Sequence, residues 1–186
     1  MVVKSRCDGG PGVFNLSPVP DTSGIRGHIM QRTTIREFLD SLSCGAELPL
    51  VPVGACLEEV VRVMVKGHRR RIVYVVDSDR RLKGAITLSH LKDIIFRFFL
   101  DERLSNAVVV SDRIVELFTS EKADQVMTLD LPSCLIDETL ADAVGRMMET
   151  NVTDMPVLDQ EGRVVADLDI LDLLELWLRR GNRAFT

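Results

Sequence analysis

Three histidines, four cysteines, one tryptophan and one tyrosine are all that 186 residues hold of those types. Cys7, Cys44, Cys56 and Cys134 form no Cys-x-x-Cys pair, and His28, His68 and His90 stand alone. A zinc site or a disulfide framework therefore lacks support, and the thiols read as packing groups in a reducing compartment. Apolar runs such as Ala107-Val108-Val109-Val110 stop far short of the roughly 20 residues that span a membrane. The N-terminal segment has no apolar block of the signal-peptide kind, which predicts a cytoplasmic chain. There is no excess of positive charge either: 23 Lys and Arg face 28 Asp and Glu, which argues against a nucleic-acid partner. No Gly-rich phosphate loop and no Ser/His/Asp set is present, so the chain is not expected to be an enzyme.

What is present is ordinary globular material, with 46% hydrophobic and 27% charged residues, enough for one compact domain or two small ones. The charge is unevenly spread. Residues 1–100 carry 15 basic against 10 acidic side chains, and residues 101–186 carry 8 against 18. Such a split predicts halves that face each other, within one chain or across a dimer.

Residues 1–31 read as a mobile tail, because Gly9-Gly10-Pro11-Gly12, Ser17-Pro18-Val19-Pro20 and Asp21-Thr22-Ser23-Gly24 place turn formers too densely for a core. Beyond the tail the sequence repeats itself. Leu57, Val60, Val61 and Met64 overlie Leu140, Ala143, Val144 and Met147 at an offset of 83. Leu48-Pro49 likewise overlies Leu131-Pro132. At an offset of 82, Val75-Val76-Asp77 falls on Val157-Leu158-Asp159, and Leu91 on Leu173. A register held through successive elements marks two copies of one unit.

Each copy begins with a short apolar strand at 50–53 or 134–136. An amphipathic helix follows, its apolar residues spaced i, i+3, i+4, i+7, and Gly67 is placed to end the first of these. Two β-rich runs make a hairpin: 72–76 with 82–86, and 155–158 with 163–166. A second helix closes each copy, from Leu88 to about 100 and from Ile170 to about 179. Between the copies, 112–118 predicts a connecting helix, and Ser120 is placed to cap a further short one reaching Met127.

The unit is thus β-α-β-β-α, twice, and in this order it resembles the cystathionine-β-synthase (CBS) domain; the pair resembles a Bateman module. Asp124-Gln125-Val126-Met127, Thr139-Leu140-Ala141-Asp142-Ala143, Met155-Pro156-Val157-Leu158-Asp159 and Leu171-Asp172-Leu173-Leu174 carry the likeness, with Val75-Val76-Asp77 and Gly84-Ala85-Ile86-Thr87 in the first copy. The resemblance implies a mixed α+β fold of two repeats packed with pseudo-two-fold symmetry. The expected division is a tail at 1–31, a first CBS domain at 32–100, a connector helix at 101–119 and a second CBS domain at 120–181.

It also implies regulation: an adenosine-containing ligand (AMP, ADP, ATP or S-adenosylmethionine) in a cleft between the repeats, and an effector protein as partner. In such modules a Thr or Ser ending the third strand contacts phosphate, and an Asp three residues later holds the ribose hydroxyls. An acceptor-only carboxylate suits a diol, and a hydroxyl at a helix N-terminus suits a phosphate. Here Thr87 is present but His90 replaces the Asp; Asp172 is present but Asp169 replaces the hydroxyl, and Ala166-Asp167 stands where Gly-Ile is common. Arg69, Arg70 and Arg71 are the cations available to offset Asp169 by sharing a cleft with Asp172. Tyr74, Asp154, Met155 and Pro156, on the second strands, complete the candidate ligand set. Thr87 and Asp169 read equally well as helix N-caps, with Asp172 in a favourable first turn. The arginines read equally well as a solvated strand entrance. A Mg²⁺ site on Asp167, Asp169 and Asp172 is a lesser alternative.

The closing helices carry more apolar surface than one buried stripe needs. Ile94, Ile95, Phe98, Phe99, Leu174, Trp177 and Leu178 spread over more than one face, which predicts a homodimer through these helices. A dimerisation or interaction module that binds no ligand is the alternative reading.

Overall fold

The computed structural model describes residues 32–42, 47–66, 71–96, 115–116 and 118–181. The tail at 1–31, Gly67, Arg69, Arg70, Phe98, Phe99 and most of the connector at 101–119 lie outside the described residues.

In chain order the elements are α1 (Ile35–Ser41), β1 (Leu50–Pro52), α2 (Leu57–Lys66), β2 (Ile72–Val76), β3 (Leu82–Thr87) and α3 (Leu88–Phe96). They continue with α4 (Ala123–Val126), β4 (Cys134–Leu135), α5 (Leu140–Thr150), β5 (Asp154–Leu158), β6 (Val164–Asp169) and α6 (Ile170–Gly181). Two three-stranded sheets result, ordered β1-β2-β3 and β4-β5-β6. In each sheet the first pair is parallel and the second antiparallel. The repeat is therefore real in three dimensions. Ile72 pairs with Thr87 as Asp154 pairs with Asp169, and each hairpin has its irregularity at the same place, between Val75 and Val76 and between Val157 and Leu158.

The helices form where the pattern requires them. Leu57, Val60 and Met64 of α2 and Leu140, Ala143 and Met147 of α5 are buried, each worth up to about 1.5–3 kcal/mol for the larger side chains. Thr139 Oγ1 accepts from Asp142 N at 3.2 Å to start α5, and Asn151 ends it in the left-handed region at φ 54°, a conformation asparagine tolerates better than most residues. Ser120 does not cap α4. Its Oγ donates to Glu116 O at 2.6 Å, while Gln125 Oε1 accepts from Lys122 N at 2.9 Å.

Each copy borrows the helix that precedes the other. α1 comes before the first copy in sequence but buries Ile35 and Phe38 in the second copy's core, beside Leu140, Met147 and Leu173. α4, which precedes the second copy, buries Ala123 in the first copy's core. The same hydrogen bonds fix both exchanges. Ile35 N donates to Glu138 O at 3.0 Å and Leu140 N to Thr33 O at 2.9 Å; correspondingly, Ala123 N donates to Ala55 O at 2.8 Å and Leu57 N to Glu121 O at 3.2 Å.

The sheets meet directly at their hairpins, again with two-fold reciprocity: Leu82 N donates to Gly162 O at 3.1 Å and Val164 N to Arg80 O at 3.0 Å. A small core between the copies gathers Ile72, Tyr74, Val76, Ala85 and Val164. The two sheets remain separate.

Candidate ligand cleft between the copies

A cleft of about 690 Å³ lies where the end of the first sheet faces the second copy, within the size range of small-molecule sites. One wall is the β2 entrance (Arg71, Ile72) with the β3–α3 junction (Thr87, Leu88, Ser89, Leu91, Lys92 and Ile95). The opposite wall is the β5 entrance, residues 151–154, with Leu131. Ile72 and Leu91 are buried and make an apolar floor. Hydroxyl, amide and charged groups stand around it on Thr87, Ser89, Thr153, Asn151, Arg71, Lys92 and Asp154. Leu88 N donates to Arg71 O at 2.6 Å, locking the junction to the strand entrance.

Thr87 is both a cap and a cleft residue: its Oγ1 accepts from His90 N at 3.1 Å, as an N-cap should. His90 does not line the cleft, and its buried Nδ1 has no hydrogen-bond partner among the described residues. Arg71 is exposed and makes no ion pair among the described residues, whereas Lys92 Nζ lies 3.0 Å from Asp93 Oδ1. Asp154 Oδ2 accepts from Thr153 Oγ1 at 2.6 Å.

The remaining candidates are placed elsewhere. Tyr74 is completely buried between the copies, and its hydroxyl donates to Asp167 Oδ1 at 2.5 Å. Burial, reinforced by the Asp167 charge, holds the phenol well above its ordinary pKa. Met155 is core and Pro156 is buried. Asp169 caps α6, its Oδ1 accepting from Leu171 N at 2.8 Å, and Asp172 lies in the first turn of that helix. The cleft thus joins Thr87, Arg71 and Asp154; Asp172 and Asp169 do not line it. Among the described residues no group of three His, Cys, Asp or Glu side chains is placed to hold a metal ion. Asp167, with its Tyr74 bond, and Asp169, with its capping bond, do not converge with Asp172 on a shared Mg²⁺ site.

Sequence reasoning missed Asn151, Thr153, Ser89 and Lys92. The signal was there for Asn151, an asparagine directly after a helical stripe. The others become neighbours only because the hairpin tips bring the copies together.

No helix among the described residues is long and apolar enough to cross a membrane. The CBS domain model matches residues 47–97 and 123–179. The magnesium transporter MgtE of Thermus thermophilus is 29% identical over 136 residues, covering 69% of this chain and 25% of that protein. The chain thus spans about a quarter of that relative's length. Among solved structures, a CBS domain-containing protein of unknown function from Bacillus anthracis is 20% identical with a TM-score of 0.63, covering 82% of this chain and 98% of that one. CBSX2, solved in complex with AMP, is 17% identical with a TM-score of 0.59, covering 80% of this chain and 98% of the other. At these identities the structural likeness establishes the fold.

Proposed function

Starting from the fact that this chain belongs to the CBS-domain family, as a tandem pair, we propose that it is a sensor that binds an adenosine-containing ligand between its copies and modulates a partner protein. The observation that carries this reading is the cleft, which Thr87 and Arg71 of one copy line together with the 151–154 segment of the other. An apolar floor suits a purine ring, and the hydroxyl and cation at its edge suit phosphate. AMP bound to the structurally similar CBSX2 supports the same ligand class, with ADP, ATP and S-adenosylmethionine as the other candidates. A ligand seated here touches both copies, so binding favours one relative position of the copies over others. That difference is what a partner would read.

The ligand is tested by melting the protein with AMP, ADP, ATP and S-adenosylmethionine in turn. At 100 times the dissociation constant the stabilisation is about 2.7 kcal/mol, a rise of roughly 5–10 °C for a chain of this size. A flat response across the panel refutes the sensor reading. Replacing Arg71 with Ala is expected to weaken AMP more than adenosine.

The second reading, an interaction module, draws on a different observation. Along α6, Leu174, Trp177 and Leu178 are 43%, 51% and 71% exposed while Leu173 is buried, and on α3 Ile94 and Ile95 are half-buried. An apolar face of this kind supports a homodimer through the closing helices. Sedimentation at increasing concentration tests it, and a monomer at all concentrations counts against it.

A further inference from the structure

Resting on the reading that this cleft takes an adenosine-containing ligand, we propose that each chain binds one phosphorylated ligand, at the first copy only, and that the residue at Thr87 and its counterpart Asp169 sets this choice. The two residues occupy the same position. Each is the last residue of a third strand, paired with the first residue of the second strand, Ile72 or Asp154. Each is followed by a helix whose first N–H donates to the residue before that strand: Leu88 N to Arg71 O at 2.6 Å, and Ile170 N to Thr153 O at 2.9 Å.

Their chemistry is opposite. At the first copy a neutral hydroxyl accepts from His90 N, and Ser89, whose N–H in the first helical turn has no intrahelical acceptor, is one of the residues that line the cleft. At the second copy the corresponding N–H, on Leu171, is already taken at 2.8 Å by the Asp169 carboxylate. An anion there would meet a fixed negative charge in place of a donor. The neighbouring positions follow the same trend. At the offset of 82, Arg71 becomes Thr153, His90 becomes Asp172 and Lys92 becomes Leu174. The first turn of α3 holds no acidic residue, and that of α6 holds Asp172. At the first copy Arg71 stands in the cleft to offset Asp154 and the cap is neutral; at its symmetry mate the cap is the Asp169 carboxylate.

Calorimetric titration with AMP and with adenosine tests this on three full-length proteins: the unchanged chain, Thr87→Asp and Asp169→Asn. Aspartate is as good an N-cap as threonine, so Thr87→Asp retains the fold, which its melting midpoint verifies. The unchanged chain is expected to bind one AMP. Thr87→Asp is expected to lose AMP affinity on the order of 100-fold, from a unit charge about 5 Å from the phosphate, while adenosine changes by no more than about three-fold. Asp169→Asn is expected to keep the same AMP affinity. Two AMP per unchanged chain, equal losses of AMP and adenosine in Thr87→Asp, or loss of AMP in Asp169→Asn would overturn the assignment. Failure of the unchanged chain to bind either compound would overturn the functional reading itself, and this inference with it.

Discussion

The Tyr74 hydroxyl donates to Asp167 Oδ1 across the interface between the two copies, at 2.5 Å. The symmetry-related positions, Pro156 and Ala85, carry no polar side chain, so this bond departs from an otherwise reciprocal interface. A hydrogen bond to a carboxylate from a fully buried phenol ties the two sheets together where the surrounding core is apolar.

Tyr74→Phe is expected to destabilise the protein by about 1.5–3 kcal/mol, the range for a hydrogen bond to a charged group. Denaturant unfolding measures it. An unchanged midpoint would show that the bond contributes nothing.

Tyr74 is the chain's one tyrosine, so alkaline absorbance titration reports on it alone. Its pKa is raised well above 10.0, chiefly by burial and then by Asp167. The raised value means that the folded state holds the proton more tightly. Its stabilising contribution is full below pH 10 and is lost as pH climbs above that. Phenolate is expected to appear only with unfolding, at a pH clearly above 10. Ionisation near pH 10 in the folded protein would contradict the burial.

Gly84 and Gly145 should respond oppositely to alanine. A Cβ at Gly84 would meet Thr128 O at 2.7 Å and Met127 Sδ at 2.8 Å, because Ala85 and Thr128 exchange backbone hydrogen bonds there. Gly84→Ala is expected to cost about 1–3 kcal/mol. A Cβ at Gly145, inside α5, meets nothing within 4 Å, so Gly145→Ala is expected to stabilise by roughly 0.5–1 kcal/mol. Thermal melts of both variants decide it.

Both hairpins depend on an aspartate. Asp77 Oδ1 accepts from Asp79 N and Arg81 N, and Asp159 Oδ1 from Glu161 N and Arg163 N. The Lys83 side chain and the backbone bonds hold Asp77 below the usual carboxylate range, and backbone bonds do the same for Asp159. A lowered folded pKa stabilises above the unfolded value, near 3.8, and that contribution disappears as pH falls below it. The double variant Asp77→Asn, Asp159→Asn is expected to show a shallower loss of stability below pH 4 than the parent. An identical acid limb would contradict this.

The β-α-β-β-α order, the helix stripes and both hairpins were legible because each depends on local periodicity: every residue of β2 is buried, and α2 buries Leu57, Val60 and Met64 on one side. The exchange of α1 and α4 was not legible. Ile35 and Phe38 sit next to the first copy in sequence, and nothing local records that the N–H groups of Ile35 and Arg36 donate to Glu138 O and Ile136 O, about 100 residues away. The exchange also explains a departure that reads from sequence only as a lost glycine. Gly84 must admit Met127 and Thr128, just after α4, whereas among the described residues α1 forms no such bridge to β6, so Ala166 is tolerated. At the site, Thr87 was found through the CBS resemblance, which implies a Thr or Ser contact at the end of the third strand. Its pairing with the 151–154 segment depends on the contact of the hairpin tips at Arg81 and Arg163, which no spacing encodes.

Amide hydrogen exchange with and without AMP tests the central claim most directly, because it locates the ligand as well as detecting it. The account predicts added protection at residues 71–72, 87–92 and 151–154 together, from both walls of one cleft, with the 170–174 turn unchanged. Protection at 170–174 without 87–92, or none anywhere at saturating AMP, would contradict it.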